Sequence, residues 1–516
     1  MQKIMLLSLS VAVLTACTIF EPVPAEAPYE SFSLVAGDTV KTRVEKNFKE
    51  FKKNDASAKN FLIVGDTVVT YKEPKLHTPP AKKADLSKLK NNDDPDLKGK
   101  PLRMVAIGGS LTAGVRDGGY FNEGIMTSYP NLIARQMGIS FEQPLFDAAD
   151  YNGYGRKTRT SFNPTGGPVP KFKEVSNNSG VDNIEKLSSS FGSIDKVNLK
   201  PNKQANIDNF SFPDLENGSL YVSSNVNSIA DFNNGNTLNF GERNFKASFI
   251  KRLNIDKGKS IIKNVFDKKS DIFILEYGWN NQLSNLLNKP STFSPYWGGL
   301  DFFNYPLDYI SKQSGVDPLV SISKYLQQNK QKAGVYLNVP NFLNLPAFNY
   351  IKYEEVKKIM QMGQTYQLYG VSLMGTDLMN AKWLPSSSVD SLISPKVHIS
   401  LKKGIRESNP LPNGLVTREG QLFLNNIKGQ NESITTMANA INFPVADIYT
   451  LYENLNRGSL FTEEGVKVTM ANFFSTDGIN PSAYGQAIIA NEVIRTLNKH
   501  YKSEIPLIKV AEYLVK

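Results

Sequence analysis

Four short apolar runs limit what this chain can fold into. Residues 102–107, 272–275, 335–339 and 445–448 are too short for helical packing faces and read as buried strands. Helical patterns lie between and after them. Residues 128–137 read as a helix that Gly138 stops. Near the chain end Ile489, Val493 and Leu497 recur every four residues, with Ala490 and Ile494 beside them. Strands alternating with helices predict a parallel sheet with helices on both faces, hence an α/β fold in three layers. Such sheets bind ligands at the carboxyl ends of their strands.

Two stretches break the rhythm. Residues 151–250 are rich in Asn, Ser and Gly, with Pro at 164, 168, 170, 201 and 213. A structureless loop of that length does not suit a compact domain, so it reads as an insertion with short strands, a lid or binding surface. Upstream, Phe61-Leu62-Ile63-Val64 and Val68-Val69-Thr70-Tyr71 flank Gly65-Asp66 and predict a small hairpin. Residues 74–100 carry three prolines before position 81 and many charges, and read as a linker. The expected organisation is a leader over 1–17, then tether, hairpin and linker over 18–100. The α/β domain follows over 101–505, with a tail over 506–516.

The leader opens on Met1-Gln2-Lys3, continues through an apolar run softened only by Ser8 and Ser10, and reaches Leu14-Thr15-Ala16-Cys17. A charged start, a short apolar stretch and small residues at a cleavage site mark a secretory signal. The run is far below the roughly 20 residues of a spanning helix. Cys17 is the only cysteine, so no internal disulfide explains it. Leu-Thr-Ala-Cys resembles the lipobox of bacterial lipoproteins, whose cysteine receives acyl chains such as palmitate and becomes the mature N-terminus. The resemblance implies a membrane as partner through that lipid. With Thr18 rather than Asp next, it implies the outer membrane in a host that has two. Residues 18–35, rich in Pro, Glu and Ala, suit a flexible tether. The alternative is an ordinary cleaved signal with an incidental cysteine.

The 59 basic and 49 acidic residues leave +10, but the lysines are scattered. The densest run, from Lys82 to Lys100, is interrupted by Asp85, Asp93, Asp94 and Asp96, a solvated surface and no nucleic-acid site. One cysteine and the scattered His77, His398 and His500 do not supply metal-ligand spacings. No phosphate loop occurs, so no metal or cofactor is expected. Tyr296, Trp297, Phe302, Phe303, Tyr305 and Tyr309 form an aromatic segment. It reads as packing under the insertion, or as a glycan, lipid or partner surface.

Three segments after predicted strands carry the candidate chemistry. In Gly108-Gly109-Ser110-Leu111-Thr112 a serine sits at a tight strand-to-helix turn, which exposes a hydroxyl as a nucleophile requires. In Gly278-Trp279-Asn280-Asn281 an amide at a strand end can donate to a developing oxyanion. Asp477-Gly478-Ile479-Asn480-Pro481 precedes the last helix. In this order the segments resemble the blocks of the GDSL/SGNH hydrolase family. Gly109 replaces the Asp of Gly-Asp-Ser-Leu, Asn281 the Asp of Gly-x-Asn-Asp, and Asn480 the His of Asp-x-x-His. The resemblance covers about 102–150 and 250–505 and implies a flavodoxin-like SGNH fold. It implies Ser110 as nucleophile and Asp477 as the acid that orients a base. The Ser110 amide, a glycine amide at Gly153 or Gly155, and Asn280 would form the oxyanion hole.

The departure at position 480 matters most. An asparagine amide has no basic nitrogen near neutral pH and cannot take a proton from Ser110. Two readings follow. One is an ester hydrolase with weak or lost activity, acting on acyl groups of lipids, glycans or small esters. The other is an inactive scaffold that binds or assembles partners, such as an outer-membrane β-barrel. Asn480 either caps the last helix or hydrogen-bonds Asp477.

Overall fold

The computed structural model describes residues 83–151, 153–162, 170–174, 178–189, 192–204, 206–213, 215, 249–254, 261–287, 317–346, 418–475 and 477–513. It also describes strand segments at 43–44, 61–64, 67–70, 366–368 and 371–373. The leader with Cys17, the tether, His77, His398 and the aromatic segment at 296–309 lie outside the described residues.

The core is a four-stranded sheet of β1 (Met104–Ile107), β2 (Ile272–Glu276), β3 (Ala333–Leu337) and β4 (Val445–Ala446). Spatially the order is β4-β3-β2-β1, with every pairing parallel. Met104 and Ala333 both stand beside Ile272, so the three long strands start level. Residues of β1, β2 and β3 are buried throughout, as a sheet covered on both faces requires.

The first helices are α1 (Ser110–Ala113), α2 (Tyr129–Met137), α3 (Trp279–Leu287) and α4 (Pro318–Gln328). They are followed by α5 (Arg418–Ala440), α6 (Ile448–Arg457) and α7 (Ala483–Tyr501). α2 packs on α7 and α4 packs on α5, while both α5 and α7 touch β3. Successive side chains of a strand face opposite sides. Tyr336 turns its hydroxyl to Ser323 of α4, 3.1 Å away, which leaves Val335 for the other layer. Among the described residues no helix is long and apolar enough to cross a membrane.

Local chemistry sets the element ends. Pro130 stands in the first turn of α2 and Gly138 ends it at φ 68°. Asp447 caps α6 by accepting from the Thr450 amide at 3.0 Å, which cuts the expected fourth strand short of Ile448. Ser482 caps α7, accepting from the Gly485 amide at 3.2 Å.

Three boundaries differ from those expected. Within the stretch read as an insertion, 208–210 runs beside β1. The Ala106 amide donates to the Asp208 carbonyl at 2.9 Å and the Phe210 amide to the Ala106 carbonyl at 2.8 Å, a parallel bridge. Ile207, Phe210, Phe212 and Leu215 are buried there. Among the described residues the rest of the insertion is built on two hairpins, Lys157–Phe162 with Pro170–Glu174 and Val181–Ser189 with Gly192–Leu199. Part of the expected linker, 83–100, is packed onto the domain: Leu89 and Leu97 are buried. Asp271, at the head of β2, accepts from the Asn91 amide, the Arg103 amide and the Lys90 ammonium at 2.8, 2.7 and 3.1 Å. The tail is also docked, since Asn491 of α7 exchanges two hydrogen bonds with the backbone of Ile508.

With 208–210 included, the strands lie across the sheet in the order second, first, third, fourth, fifth of the chain. That is a doubly wound order, and the crevice for a ligand opens where the order reverses. Here the reversal falls between β1 and β2.

Candidate functional site

Ser110 follows β1 and Asn280 follows β2, so the reversal point brings the two segments into contact. The Ser110 amide donates to Asn280 Oδ1 at 2.8 Å. Asn280 Nδ2 donates in return to Ser110 Oγ at 3.0 Å. Both residues are buried. An oxyanion hole needs donors aimed at the place where charge will develop. In this structure the Ser110 N–H and one N–H of the Asn280 side chain donate to each other's residue.

Glycine is required at the turn by packing. A Cβ on Gly109 would lie 1.8 Å from Asn280 Oδ1 and 3.1 Å from the Leu215 carbonyl. One on Gly108 would lie 2.4 Å from Thr112 Oγ1 and 2.7 Å from Glu276 Oε2. An Asp in place of Gly109 would displace Asn280. At the second turn Gly278 adopts φ 90°, where side chains are strained.

Beneath both turns lies Glu276, the last residue of β2 and fully buried. Its Oε2 accepts from the Gly109 amide at 2.7 Å and from the Thr112 hydroxyl at 3.0 Å. The Thr112 and Trp279 amides also pull the pKa of the carboxylate down. Burial pushes its pKa up to about 7, against the pull of those donors.

The third segment is built around Asp477, which is 1% exposed. Its Oδ1 accepts from the amides of Ile479 and Asn480, both at 2.8 Å. Its Oδ2 accepts from the Gly118 amide at 2.9 Å and from Asn480 Nδ2 at 2.8 Å. Burial raises its pKa while these four donors hold it back. Asn480 therefore braces Asp477 and leaves the helix cap to Ser482. Its Oδ1 is buried with no hydrogen-bond partner among the described residues. Gln486 stitches this segment to the serine turn: its Nε2 donates to the Leu111 carbonyl at 3.0 Å and its Oε1 accepts from the Tyr129 amide at 2.9 Å.

Gly118 belongs to a tight turn in which Asp117 has φ 52° and Gly118 φ 70°. The Asp117 carboxylate pairs with Arg156 at 3.1 Å, and Arg156 also pairs with Glu123 at 3.2 Å. Arg116 pairs with Glu123 at 3.1 Å. Four charges are thus buried together and mutually compensated, as burial demands. Arg156 directly precedes the first insertion hairpin, so that hairpin is rooted beside the Asp477 loop.

The two glycines expected to complete the hole are committed elsewhere. The Gly153 amide donates to the Asp150 carbonyl at 2.8 Å, and the Gly155 amide donates to Asn178 Oδ1 at 3.1 Å. The reason is local: both lie in left-handed turns, at φ 55° and 76°, that hold the foot of the insertion. His500 bonds the Asn442 carbonyl at 3.0 Å, at the amino end of β4, opposite the serine. Among the described residues no group of three His, Cys, Asp or Glu side chains is arranged to hold a metal ion. No family model, curated protein or solved structure matches this chain.

Sequence reasoning passed over Glu276 and Gln486. Glu276 carried a signal: it is a carboxylate closing the otherwise apolar strand Ile272-Phe273-Ile274-Leu275. Gln486 carried none, because its role arises only where α7 meets α1.

Proposed function

We propose that this chain is a lipid-anchored envelope protein on an SGNH-hydrolase-like scaffold, whose serine centre turns over acyl esters weakly or not at all. The observation that carries this reading is the Asn480 side chain, which donates to Asp477 from the position where a histidine would stand. An amide held this way keeps the geometry of an acid–base pair without its basicity. The mutual bonding of Ser110 and Asn280 supports the same reading, because the Ser110 amide must leave Asn280 Oδ1 before it can donate to an incoming carbonyl. Disabling one triad member in subtilisin costs about a million-fold in turnover, so a centre without a base is effectively silent.

The test is labelling with a fluorophosphonate. Native protein should label no faster than Ser110→Ala, and Asn480→His should gain labelling that Ser110→Ala abolishes. Strong labelling of the native protein that is lost in Ser110→Ala would refute the silent centre and leave an active ester hydrolase.

The anchoring rests on Leu14-Thr15-Ala16-Cys17 and on Cys17 being the sole cysteine. Cys17→Ser should abolish palmitate incorporation and release the protein from membranes. The function left to a silent centre is binding or assembly, with an outer-membrane β-barrel as the partner to seek. Crosslinking in intact cells should recover one; a protein that crosslinks to nothing in the envelope would count against it.

A further inference from the structure

We propose that Glu276 is the positioning residue of this site, one carboxylate that holds the turn bearing Ser110 and the turn bearing Asn280 in register. The inference rests on the reading of Ser110 and Asn280 as the site. The two turns come from parts of the chain 170 residues apart. Their only common support among the hydrogen bonds described above, besides the Ser110–Asn280 pair itself, is this side chain.

Each turn follows a strand and opens a helix, so each presents backbone N–H groups that no helical carbonyl satisfies. On the first turn the Gly109 amide and the Thr112 hydroxyl donate to Glu276. The second turn leaves the sheet at Glu276 itself, which ends β2 directly before Tyr277-Gly278-Trp279. Both donors share Oε2, so a glutamine in its place keeps one acceptor for them, sets an NH2 group where the second carboxylate oxygen stands, and loses the charge. Glu276 touches Ser110 and Asn280 only through the backbone on either side of them. It acts by placement.

Charge on the carboxylate strengthens these bonds while burial opposes it. Hydrogen bonds to an ionised acceptor are about twice as strong as neutral ones, and the first turn of a helix favours negative charge. Tyr129 and Tyr452 face the carboxylate from α2 and α6 and stay neutral, since burial raises both phenols well above their ordinary value. Asp477 is the other acid near Tyr452.

Hydrogen–deuterium exchange of the full chain tests this at one fixed pH. In Glu276→Gln, segments 106–115 and 277–287 should exchange together about ten-fold faster or more, the loss expected for charged hydrogen bonds, while 485–500 in α7 stays as in the native protein. A second probe reads Ser110 directly. In a Cys17→Ser chain, Ser110→Cys is the sole thiol, and Glu276→Gln should raise its reaction rate with a small methanethiosulfonate by a similar factor. Loosening of one turn alone, of neither, or evenly through the chain would overturn the proposal. Should Glu276→Gln fail to fold, Thr112→Val decides by the same criterion, since it removes one donor and keeps the carboxylate. Neither probe depends on ester turnover, so failure here and failure of the silent-centre reading are separate results.

Discussion

Protonation of Glu276 offers a measurement in which burial and hydrogen bonding compete. In the unfolded chain the group loses its proton near 4.5, whereas in the folded protein it keeps it to about 7. Between those values the native state holds the extra proton, so stability falls as pH rises and the whole deficit stands above 7. A difference of 2.5 units at 1.36 kcal/mol per unit makes the deficit about 3 kcal/mol. Full burial means that solvent does not dilute it. Glu276→Gln removes the titration and leaves the other groups in place. The stability of the native protein minus that of the variant should therefore decrease by about 3 kcal/mol between pH 4.5 and pH 8. Urea unfolding followed by tryptophan fluorescence measures both, with Trp279 reporting from the second turn. A difference that stays level, or moves the other way, would refute the reasoning. It would mean that the hydrogen-bond donors outweigh desolvation and hold the carboxylate ionised.

Other substitutions test the surrounding geometry. Gly109→Ala forces Asn280 away from Ser110 and should lower stability by about 3 kcal/mol in urea unfolding. Asn280→Ala leaves the buried Ser110 amide without that acceptor and should cost about 1–3 kcal/mol by the same measurement. Arg156→Met strips Asp117 of its Arg156 partner inside the protein and should cost about 3–5 kcal/mol. Since the pair is buried, the loss in melting temperature should be the same at low and high salt.

Legibility in the sequence followed the range of the interaction. The apolar runs at 102–107, 272–275 and 335–339 announced strands because a strand covered on both faces must be apolar along its length. Gly138 announced a helix end because its effect is exerted within one turn. Residues 208–210 gave no such announcement: Asp208, Asn209 and Phe210 pair with β1 through backbone groups that every residue carries. The charged stretch 83–100 was read as a linker for a related reason. Its attachment is made of a few leucines and of distant partners: the acceptor Asp271, Lys269 paired with Asp94, and Glu504 bridged to Asp85.

What the sequence determined by itself is therefore the α/β alternation and the chemical limits of the site. A serine follows one strand, an asparagine follows another, and position 480 carries no base. These are properties of residue types and of periods in the chain. Only the tertiary structure decided that Ser110 and Asn280 satisfy each other, that Glu276 lies under both turns, and that the Gly153 and Gly155 amides are spent on the insertion. Hydrogen-bond partners across 170 residues are set by where the strands lie in the sheet, and no local pattern encodes that distance.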